Sequence, residues 1–271
     1  MTTAFDYPRF ELGEALTPEQ IAHFQRWGFL HFKNFISAER VERLIAATRN
    51  VERQWVDANV EKVNGVPIKY GRDLDGRKIV QRFAFANQYD AELAEFLKDP
   101  RFKTLFALIG SADARVGADE KDGLVVNHYV HGPDSEHSRL GWHTDGLRDI
   151  FLGSRLNPLL NVGVHLSNLG IEHGGLRLLP GTHQQSLWQF LFRKRYFRDH
   201  EPDIDEVAII PAAGDLTVHD GRLWHRVAQS TVSGEASRRR VMYIPVISGA
   251  YAPKHAQSAT PFYQRLAKFA K

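Results

Sequence analysis

Two side chains that can bind a metal ion lie close together in the middle of the chain. His143 and Asp145 stand in the motif GWHTDG, residues 141–146, with one residue between them. If this motif is part of a β-strand, both side chains point to the same face, because side chains alternate along a strand. An imidazole nitrogen and a carboxylate oxygen on one face can chelate a metal. The spacing predicts two metal ligands, although such a triplet also occurs in ordinary surface pairs.

A third ligand is available later in the chain, in the segment HDGRLWHRV at residues 219–227. Both His219 and His225 are candidates there. Either one, with His143 and Asp145, would give two imidazoles and one carboxylate on one side of a metal, with open positions opposite. That is the ligand set of non-haem Fe(II) oxygenases. The chain has no cysteine, which excludes a thiolate zinc site and a cysteine nucleophile.

Three consecutive arginines, Arg238, Arg239 and Arg240, follow the second histidine motif. The planar guanidinium group can hold a carboxylate through two parallel hydrogen bonds. It can therefore anchor the far end of a dicarboxylate co-substrate whose other end chelates iron. Histidine, aspartate and arginine would then form one chemical unit.

The composition narrows the class of protein. The 271 residues are 43% hydrophobic, and 35 Lys and Arg stand against 32 Asp and Glu, for a net charge of +3. The positive residues are scattered, which argues against a nucleic-acid partner. No segment has the ~18 consecutive apolar residues of a membrane span, and no secretory signal is visible. We therefore expect a cytoplasmic protein without a membrane partner, and its oligomeric state is left open.

The first part of the chain has the periodicity of helices. Residues 17–27 carry helix-capping residue types followed by one apolar face, and a second helical pattern covers residues 38–51. A third, at residues 92–110, is broken by Pro100 and ends at Gly110. Between the second and third patterns, the glycine-rich polar stretch at residues 59–78 has no clear period and is predicted to be a long loop that could act as a lid.

From Gly123 onward, an alternating pattern replaces the helical one. Short runs rich in β-branched and aromatic residues are separated by Gly, Pro, Asn and Asp. Helices followed by many strands, without a βαβ rhythm, predict an α+β fold with an antiparallel sandwich or barrel as its core. The predicted strands lie within residues 123–131, 161–169, 174–183, 215–221, 223–230 and 238–247.

Four motifs in this order resemble the phytanoyl-CoA dioxygenase family of Fe(II)- and 2-oxoglutarate-dependent oxygenases. They are LTPEQIAHFQRWGFLHFKNFIS, WHTD, EHGGLRLLPGTH and AGDLTVHDGRLWHRV, and they extend over nearly the whole chain. The resemblance implies a cupin-like jelly roll, the double-stranded β-helix, with N-terminal helices packed on the major sheet. It also implies a single domain over residues 1–271, with a helical part and lid loop at 1–120, a jelly-roll core at 121–250 and a C-terminal extension at 251–271.

The resemblance assigns the metal ligands. It implies that His143, Asp145 and His225 hold Fe(II), that His219 is not a ligand, and that 2-oxoglutarate and O2 are co-substrates. The implied reaction is hydroxylation of an unactivated C–H bond of a small-molecule metabolite or natural-product intermediate, with release of succinate and CO2. Asp145 argues against halogenation, because halogenating relatives lack this carboxylate. Two other classes stay open: a non-catalytic ligand-binding jelly roll, and a metal-dependent hydrolase or isomerase with the same ligands.

The resemblance also places a co-substrate arginine at the start of the last strand. The best register gives this role to Arg239, with Val241 and Tyr243 on the same inward face. A slip of one residue would give it to Arg238 or Arg240, because neighbouring residues face opposite sides of a strand.

The chain departs from the family's pattern at two positions. Val227 stands where many members have a serine that helps to bind the co-substrate, and Gly163 replaces a common bulky aromatic residue. These changes predict altered co-substrate contacts and an altered pocket size. Gln81, Lys78 or Asn127 is a candidate for a second polar contact to 2-oxoglutarate.

Other histidines and one mixed segment have simpler interpretations. His183, in the motif PGTH, is expected to stabilise a turn. His128, His131 and His137 are expected to be exposed polar residues. Residues 190–200 mix aromatic and basic side chains and are expected to form an amphipathic helix with a solvated face. The candidate substrate-facing segments are residues 59–78, 131–140 and 188–200.

Overall fold

The computed structural model describes residues 6–132, 139–146 and 157–260. Within these ranges, helices α1 to α5 span Pro18–Trp27, Ala38–Asp57, Ala91–Phe96, Phe106–Ile109 and Leu187–Phe192. Strands β1 to β14 span Phe29–Phe32, Lys62–Val63, Val66–Pro67, Lys69–Arg72, Lys78–Phe83, Arg115–Val116, Val125–His131, Leu140–His143, Leu159–His165, Gly175–Leu178, Val207–Ala208, Leu216–Asp220, His225–Ala228 and Gly234–Ile247. None of the described helices could span a membrane.

Most strands belong to two antiparallel sheets. The major sheet has the order β1-β12-β9-β14-β7-β5-β4, with β6 also paired to β14, and the minor sheet has the order β11-β10-β13-β8. From β7 onward the chain passes repeatedly between the two sheets, as β7, β9, β12 and β14 lie in the major one and β8, β10, β11 and β13 in the minor one. This winding is that of a double-stranded β-helix, so the predicted α+β fold with a jelly-roll core is confirmed.

Helix α1 begins where its capping residues predict. The Thr17 side chain accepts a hydrogen bond from the Gln20 amide, and the Gln20 side chain accepts one from the Thr17 amide. Such a reciprocal box satisfies two amides that the first helical turn leaves without partners. Gly28 ends the helix in the left-handed region, at φ 80°, and the chain turns directly into β1.

The helices cover one face of the major sheet. Leu216 and Val218 of β12 share a hydrophobic core with Leu44 and Val51 of α2. Because side chains alternate along a strand, the odd-numbered residues of β12, such as Thr217, point to the opposite face. That opposite face lines the interior of the barrel. The helices thus fix the major sheet from outside and leave its inner face for a site.

The polar stretch at residues 59–78 is not the loop that the sequence predicts. Strands β2 and β3 form a small hairpin there, and β4 pairs with β5 at the edge of the major sheet. A turn through Gly76, at φ 79°, connects β4 to β5. Backbone pairing satisfies the amides of this segment although its side chains have no regular apolar pattern.

The amphipathic helix predicted for residues 190–200 is also wrong. Helix α5 ends at Phe192, and the residues that follow form turns, with Phe197 at φ 60°. The exposed side of α5 is apolar, since Trp188 is 72% and Phe192 61% exposed. The segment therefore presents aromatic side chains, rather than a charged helix face, to the surroundings.

Candidate metal centre

Three side chains that can donate to a metal meet inside the barrel. His143 ends β8, Asp145 follows it by two residues, and His225 begins β13. The two strands are neighbours in the minor sheet, and His143 lies directly opposite His225. One donor atom from each of the three residues lies within 4.8 Å of the others. Register in one sheet therefore brings together residues that are far apart in the sequence.

Backbone carbonyl groups set the tautomers of both imidazoles. His143 Nδ1 lies 2.8 Å from the carbonyl oxygen of Gly141, and His225 Nδ1 lies 2.9 Å from that of Leu223. A carbonyl oxygen can only accept, so each Nδ1 carries the hydrogen and each Nε2 keeps a free lone pair. Burial, with the nearby His225, lowers the pKa of His143 to about 3. Its imidazole is neutral at neutral pH, as a metal ligand must be.

A hydrogen bond from a neighbouring strand orients the carboxylate of Asp145. The Asn161 side-chain amide of β9 donates to Asp145 Oδ2 at 2.9 Å. Burial would raise the pKa of Asp145, but the imidazoles of His225, His143 and His219 outweigh this and hold it below its usual range. The carboxylate therefore stays ionised near neutral pH. Its side chain is 27% exposed, which leaves an approach to the site.

We expect Asn161→Ala to weaken metal binding by about 10-fold, because hydrogen bonds that orient a ligand typically contribute 10- to 100-fold to affinity. The variant leaves all three donor side chains in place but removes the amide that fixes Asp145. Titration of Mn(II) against the purified variant measures the effect. Asn161→Asp, which keeps the side-chain size but replaces the donor amide by a second carboxylate, is the comparison. Affinity equal to that of the unchanged protein in Asn161→Ala would contradict the role assigned to this amide.

His219 lies beside the three donors. The family resemblance implies that it is not a metal ligand. Its Nε2 is 3.9 Å from Asp145 Oδ2, and its ring centroid is 4.6 Å from that of His225. It is not one of the three residues whose donor atoms group within 4.8 Å. Burial, reinforced by His225, lowers the pKa of His219 to about 3. The centre therefore has a neutral third imidazole at its edge.

Arg239 is the arginine of the triplet that points into the barrel. It is 4% exposed, and its Nη1 donates to the carbonyl oxygen of Ala228 at 3.2 Å. Its guanidinium carbon lies 5.1 Å from the centroid of the Tyr129 ring on β7. Tyr243 lies four residues beyond Arg239 on β14, and burial raises the pKa of its hydroxyl group. The charges of Arg239 and Asp145 both lie close enough to shift this pKa as well. Tyr243 therefore links the metal side of the cavity with the arginine side.

Arg238 lies on the opposite face of β14, outside the barrel. It donates to Asp73 Oδ1 at 2.6 Å and to Glu235 Oε1 at 2.6 Å. Its Nη1 also lies 2.8 Å from Nε2 of His128, which is 5% exposed. The prediction that His128 is exposed is therefore wrong. Alternation puts Arg240 on the same outer face. Burial lowers the pKa of Arg240, and the positive charges of Arg238 and Arg49 lower it further.

The Asp73–Arg238 pair should make stability depend on pH in the acid range. Burial alone would raise the pKa of Asp73, but hydrogen bonds from Arg238, the Leu74 amide and Arg77 lower it to about 2. A carboxyl group with a lowered folded-state pKa stabilises the fold above its unfolded value of 3.8 and loses this effect as pH falls toward 2. We expect Asp73→Asn to reduce the free energy of unfolding at pH 7, and this difference to shrink below pH ~4.

Chemical denaturation of both proteins at several pH values measures that difference. Arg238→Met should show the same trend, and the double variant should cost less than the sum of the two single changes, because both remove the shared Asp73–Arg238 interaction. A difference between the unchanged protein and Asp73→Asn that stays constant from pH 7 to pH ~3 would contradict the assignment.

Comparison with known proteins identifies the family of the chain. The sequence profile described as phytanoyl-CoA dioxygenase matches residues 24–239. The chain belongs to the phytanoyl-CoA dioxygenase family. The enzymes of this family are Fe(II)- and 2-oxoglutarate-dependent dioxygenases, a class that uses iron, 2-oxoglutarate and O2. The family resemblance read from the sequence motifs is confirmed.

One curated protein is similar to this chain in sequence, and two solved structures share its fold. The ectoine dioxygenase of Bordetella parapertussis is 25% identical over 183 residues, which are 66% of this chain and 53% of that protein. The chain thus spans about half the length of the curated relatives that it matches. Among solved structures, the apoform of EctD from S. alaskensis has a TM-score of 0.63 at 16% identity, covering 93% of this chain and 88% of that one. The non-heme alpha-ketoglutarate-dependent epimerase SnoN from nogalamycin biosynthesis has a TM-score of 0.62 at 18% identity, covering 88% and 85%.

At Gly163, where the motif resemblance implies that a bulky aromatic residue is missing, another residue supplies an aromatic ring. A Cβ atom at Gly163 would lie 3.0 Å from Cε1 of Tyr243 and 2.8 Å from Oγ1 of Thr217. The Tyr243 ring therefore occupies the space above Gly163, inside the barrel. At the other departure, Val227 is half-buried on β13, opposite Leu140 of β8. The cavity wall thus has an aromatic ring on β14 rather than on β9.

Phe197 is a residue near the centre that sequence reasoning did not single out. Its ring stacks on that of His143, with centroids 4.9 Å apart and an interplanar angle of 27°. Its amide donates to the carbonyl oxygen of Trp142 at 2.9 Å, and Gly141 permits the close approach, since a Cβ there would lie 2.6 Å from the carbonyl oxygen of Phe197. An ordinary residue at positive φ is uncommon and marks a constrained position. The one indication in the sequence is that Phe197 lies within residues 188–200, a candidate substrate-facing segment.

The remaining candidates lie apart from the three donors or outside the described ranges. His183 is 7% exposed, and its Nε2 lies 3.1 Å from the carbonyl oxygen of Gln25, so it holds a turn against α1 as predicted. Lys78 donates to Asn59 at 2.8 Å on the surface. His131 is half-buried at the end of β7. His137 lies outside the described residues.

Proposed function

We propose that this chain is an Fe(II)- and 2-oxoglutarate-dependent hydroxylase of a small-molecule metabolite or natural-product intermediate, with release of succinate and CO2. The observation that carries the proposal is the meeting of His143, Asp145 and His225, with donor atoms within 4.8 Å of one another. Two imidazole nitrogens and one carboxylate oxygen, with open positions opposite, suit non-haem iron. The family of the chain favours this reading over a non-catalytic jelly roll or a hydrolase.

The residues of the site fit a ferrous ion. Both histidines present a free Nε2 because their Nδ1 hydrogens are held by carbonyl groups. Asp145 is held by Asn161 and is ionised. When bound, the iron would activate O2 with electrons supplied by 2-oxoglutarate. The protein's own part is to fix three donors on one side, so that the other side accepts the co-substrate and O2.

Arg239 is the proposed partner of the distal carboxylate of 2-oxoglutarate. Its guanidinium lies on the inner face of the major sheet, which the metal ligands also face, whereas Arg238 is engaged outside the barrel. A buried arginine can grip a carboxylate in a fixed orientation. The amide oxygens of Gln81 and Asn127 are buried and have no hydrogen-bond partner within residues 6–132, 139–146 and 157–260. We propose these two amides as candidates for the second polar contact.

The substrate would approach past Phe197. This ring covers one side of His143 yet is 52% exposed, so it can contact both the metal side and an incoming molecule. An aromatic wall excludes water and positions an apolar C–H bond near the reacting centre. Hydroxylation is the proposed outcome, because Asp145 fills the position that a halide would need.

Anaerobic absorption spectroscopy tests the proposal directly. Addition of Fe(II) and 2-oxoglutarate to the purified protein should produce a metal-to-ligand charge-transfer band in the visible range. Neither a non-catalytic jelly roll nor a zinc or manganese hydrolase would give this band. Its absence, in protein that binds neither iron nor 2-oxoglutarate, would overturn the proposed function.

A further inference from the structure

The imidazole of His219 is buried without a hydrogen bond. It is 1% exposed, and neither Nδ1 nor Nε2 has a partner among the residues that the structure describes. Buried polar groups in folded proteins are nearly always hydrogen-bonded, and leaving one unpaired costs about 1–3 kcal/mol. A neutral imidazole has one N–H donor and one acceptor nitrogen. A bound molecule that supplies an acceptor would remove this cost.

Strand geometry shows where the His219 side chain points. His219 lies on β12 opposite Asn161 of β9, whose amide contacts Asp145. Its neighbour Val218 packs in the core between sheet and helices, so His219 points the other way, into the barrel. There its ring lies beside that of His225, with centroids 4.6 Å apart, at the edge of the group of donors. A ligand bound next to these donors would therefore lie near the His219 imidazole.

The measured separations make His219 a neighbour of the centre rather than a fourth ligand. Its Nε2 lies 3.9 Å from Asp145 Oδ2, beyond hydrogen-bond distance. The group of donors within 4.8 Å of one another consists of His143, Asp145 and His225. An N–H at this distance from the ligand set is placed to reach an atom that is itself bound to the metal.

We propose that the His219 imidazole N–H donates a hydrogen bond to the metal-bound carboxylate of the 2-oxo acid and so holds the chelating end of the co-substrate. This inference rests on the proposed function. Arg239 would hold the distal carboxylate and His219 the carboxylate next to the keto group. The two residues would therefore act on opposite ends of one molecule. His219 is thus a binding residue for the co-substrate rather than a metal ligand.

Two measurements on His219 variants test this role without using turnover. The first is the affinity for Mn(II), and the second is the affinity for 2-oxoglutarate from the anaerobic Fe(II) charge-transfer band. We expect His219→Phe, which fills the volume without a donor, to keep its Mn(II) affinity and to bind 2-oxoglutarate at least about 10-fold more weakly. His219→Gln, which restores an N–H at the end of the side chain, should recover most of that affinity.

A second co-substrate probe separates the two ends of the molecule. Pyruvate has the 2-oxo acid group but lacks the distal carboxylate. We expect His219→Phe to weaken pyruvate binding by the same factor as 2-oxoglutarate binding, and Arg239→Ala to leave pyruvate binding unchanged. If His219→Phe does not fold, the comparison of His219→Gln with His219→Leu serves the same purpose.

Three results would overturn the inference. Unchanged 2-oxoglutarate affinity in His219→Phe would make the residue a packing element. Loss of Mn(II) affinity together with 2-oxoglutarate affinity would make it a fourth metal ligand. Weakened binding of 2-oxoglutarate but not of pyruvate would place it at the distal end. If the unchanged protein itself gives no charge-transfer band, the proposed function fails, which is a different outcome from all three.

Discussion

Alanine at position 143 or 225 is expected to abolish the iron-dependent decarboxylation of 2-oxoglutarate. Each histidine supplies one of the three donors that group within 4.8 Å, and two donors cannot hold the ion in a fixed orientation. Metal affinity should fall by more than the roughly 100-fold that loss of a supporting hydrogen bond can cause. Without the bound metal no activation of O2 remains, so turnover should fall by on the order of 10³-fold or more. Release of CO2 from labelled 2-oxoglutarate and titration with Mn(II) measure the two effects.

The matched control for this prediction is His255→Ala, because His255 is exposed and lies outside the barrel strands. It should keep both metal affinity and turnover. Imidazole added to His143→Ala or His225→Ala should restore part of the metal affinity, since the cavity left by the side chain has the shape of the missing ring. Normal turnover in purified His143→Ala protein would remove the basis of the metal centre proposed here.

Replacement of Arg239 by alanine should raise the KM for 2-oxoglutarate by about 100-fold, with a much smaller effect on kcat at saturation. Truncating one partner of a buried charge pair costs 2–5 kcal/mol, and each 1.4 kcal/mol is tenfold in affinity. Arg239 is buried inside the barrel, with its guanidinium beside the Tyr129 ring. The interaction with a distal carboxylate is made in the ground state as well as during the reaction, so KM rather than kcat carries the effect.

The neighbouring arginines provide controls within the same strand. Arg238→Ala should lower stability, because Arg238 bridges Asp73 and Glu235, but it should leave the KM unchanged. Arg240→Ala should also leave it unchanged, since alternation directs this side chain to the outer face. A large rise of the KM in either variant, without one in Arg239→Ala, would show that the inferred register is wrong.

Local signals in the sequence predicted many elements correctly. Thr17 and Gln20 form the predicted capping box, and Pro100 and Gly110 break and end the third helical region as expected. The runs of β-branched and aromatic residues after Gly123 form β7, β9, β10, β12, β13 and β14. Caps and strand propensity depend on residues close in the chain, which is why they could be read directly.

Predictions that depended on long-range neighbours were less reliable. The stretch at residues 59–78 forms strands β2 to β4, and β4 joins the major sheet through β5, whose other neighbour, β7, is far along the chain. His128 is buried because Arg238 and the start of β14 cover it. Phe197 lies over His143 because its segment pairs by backbone hydrogen bonds with Trp142. None of these contacts leaves a pattern in the local sequence.

The sequence by itself determined the chemistry available to this protein: the residue types of a two-histidine, one-carboxylate site, an arginine triplet, and strands to carry them. From the residues alone, His219 and His225 were both candidates for the third ligand, and each of three consecutive arginines could bind a carboxylate. The tertiary structure decided which of them face each other. Neighbouring side chains of a strand point to opposite faces. Which of the two faces lies inside the barrel depends on how distant strands pair. Pairing of β8 with β13 places His143 opposite His225, and packing of the helices on the outer face leaves Arg239 and His219 inside.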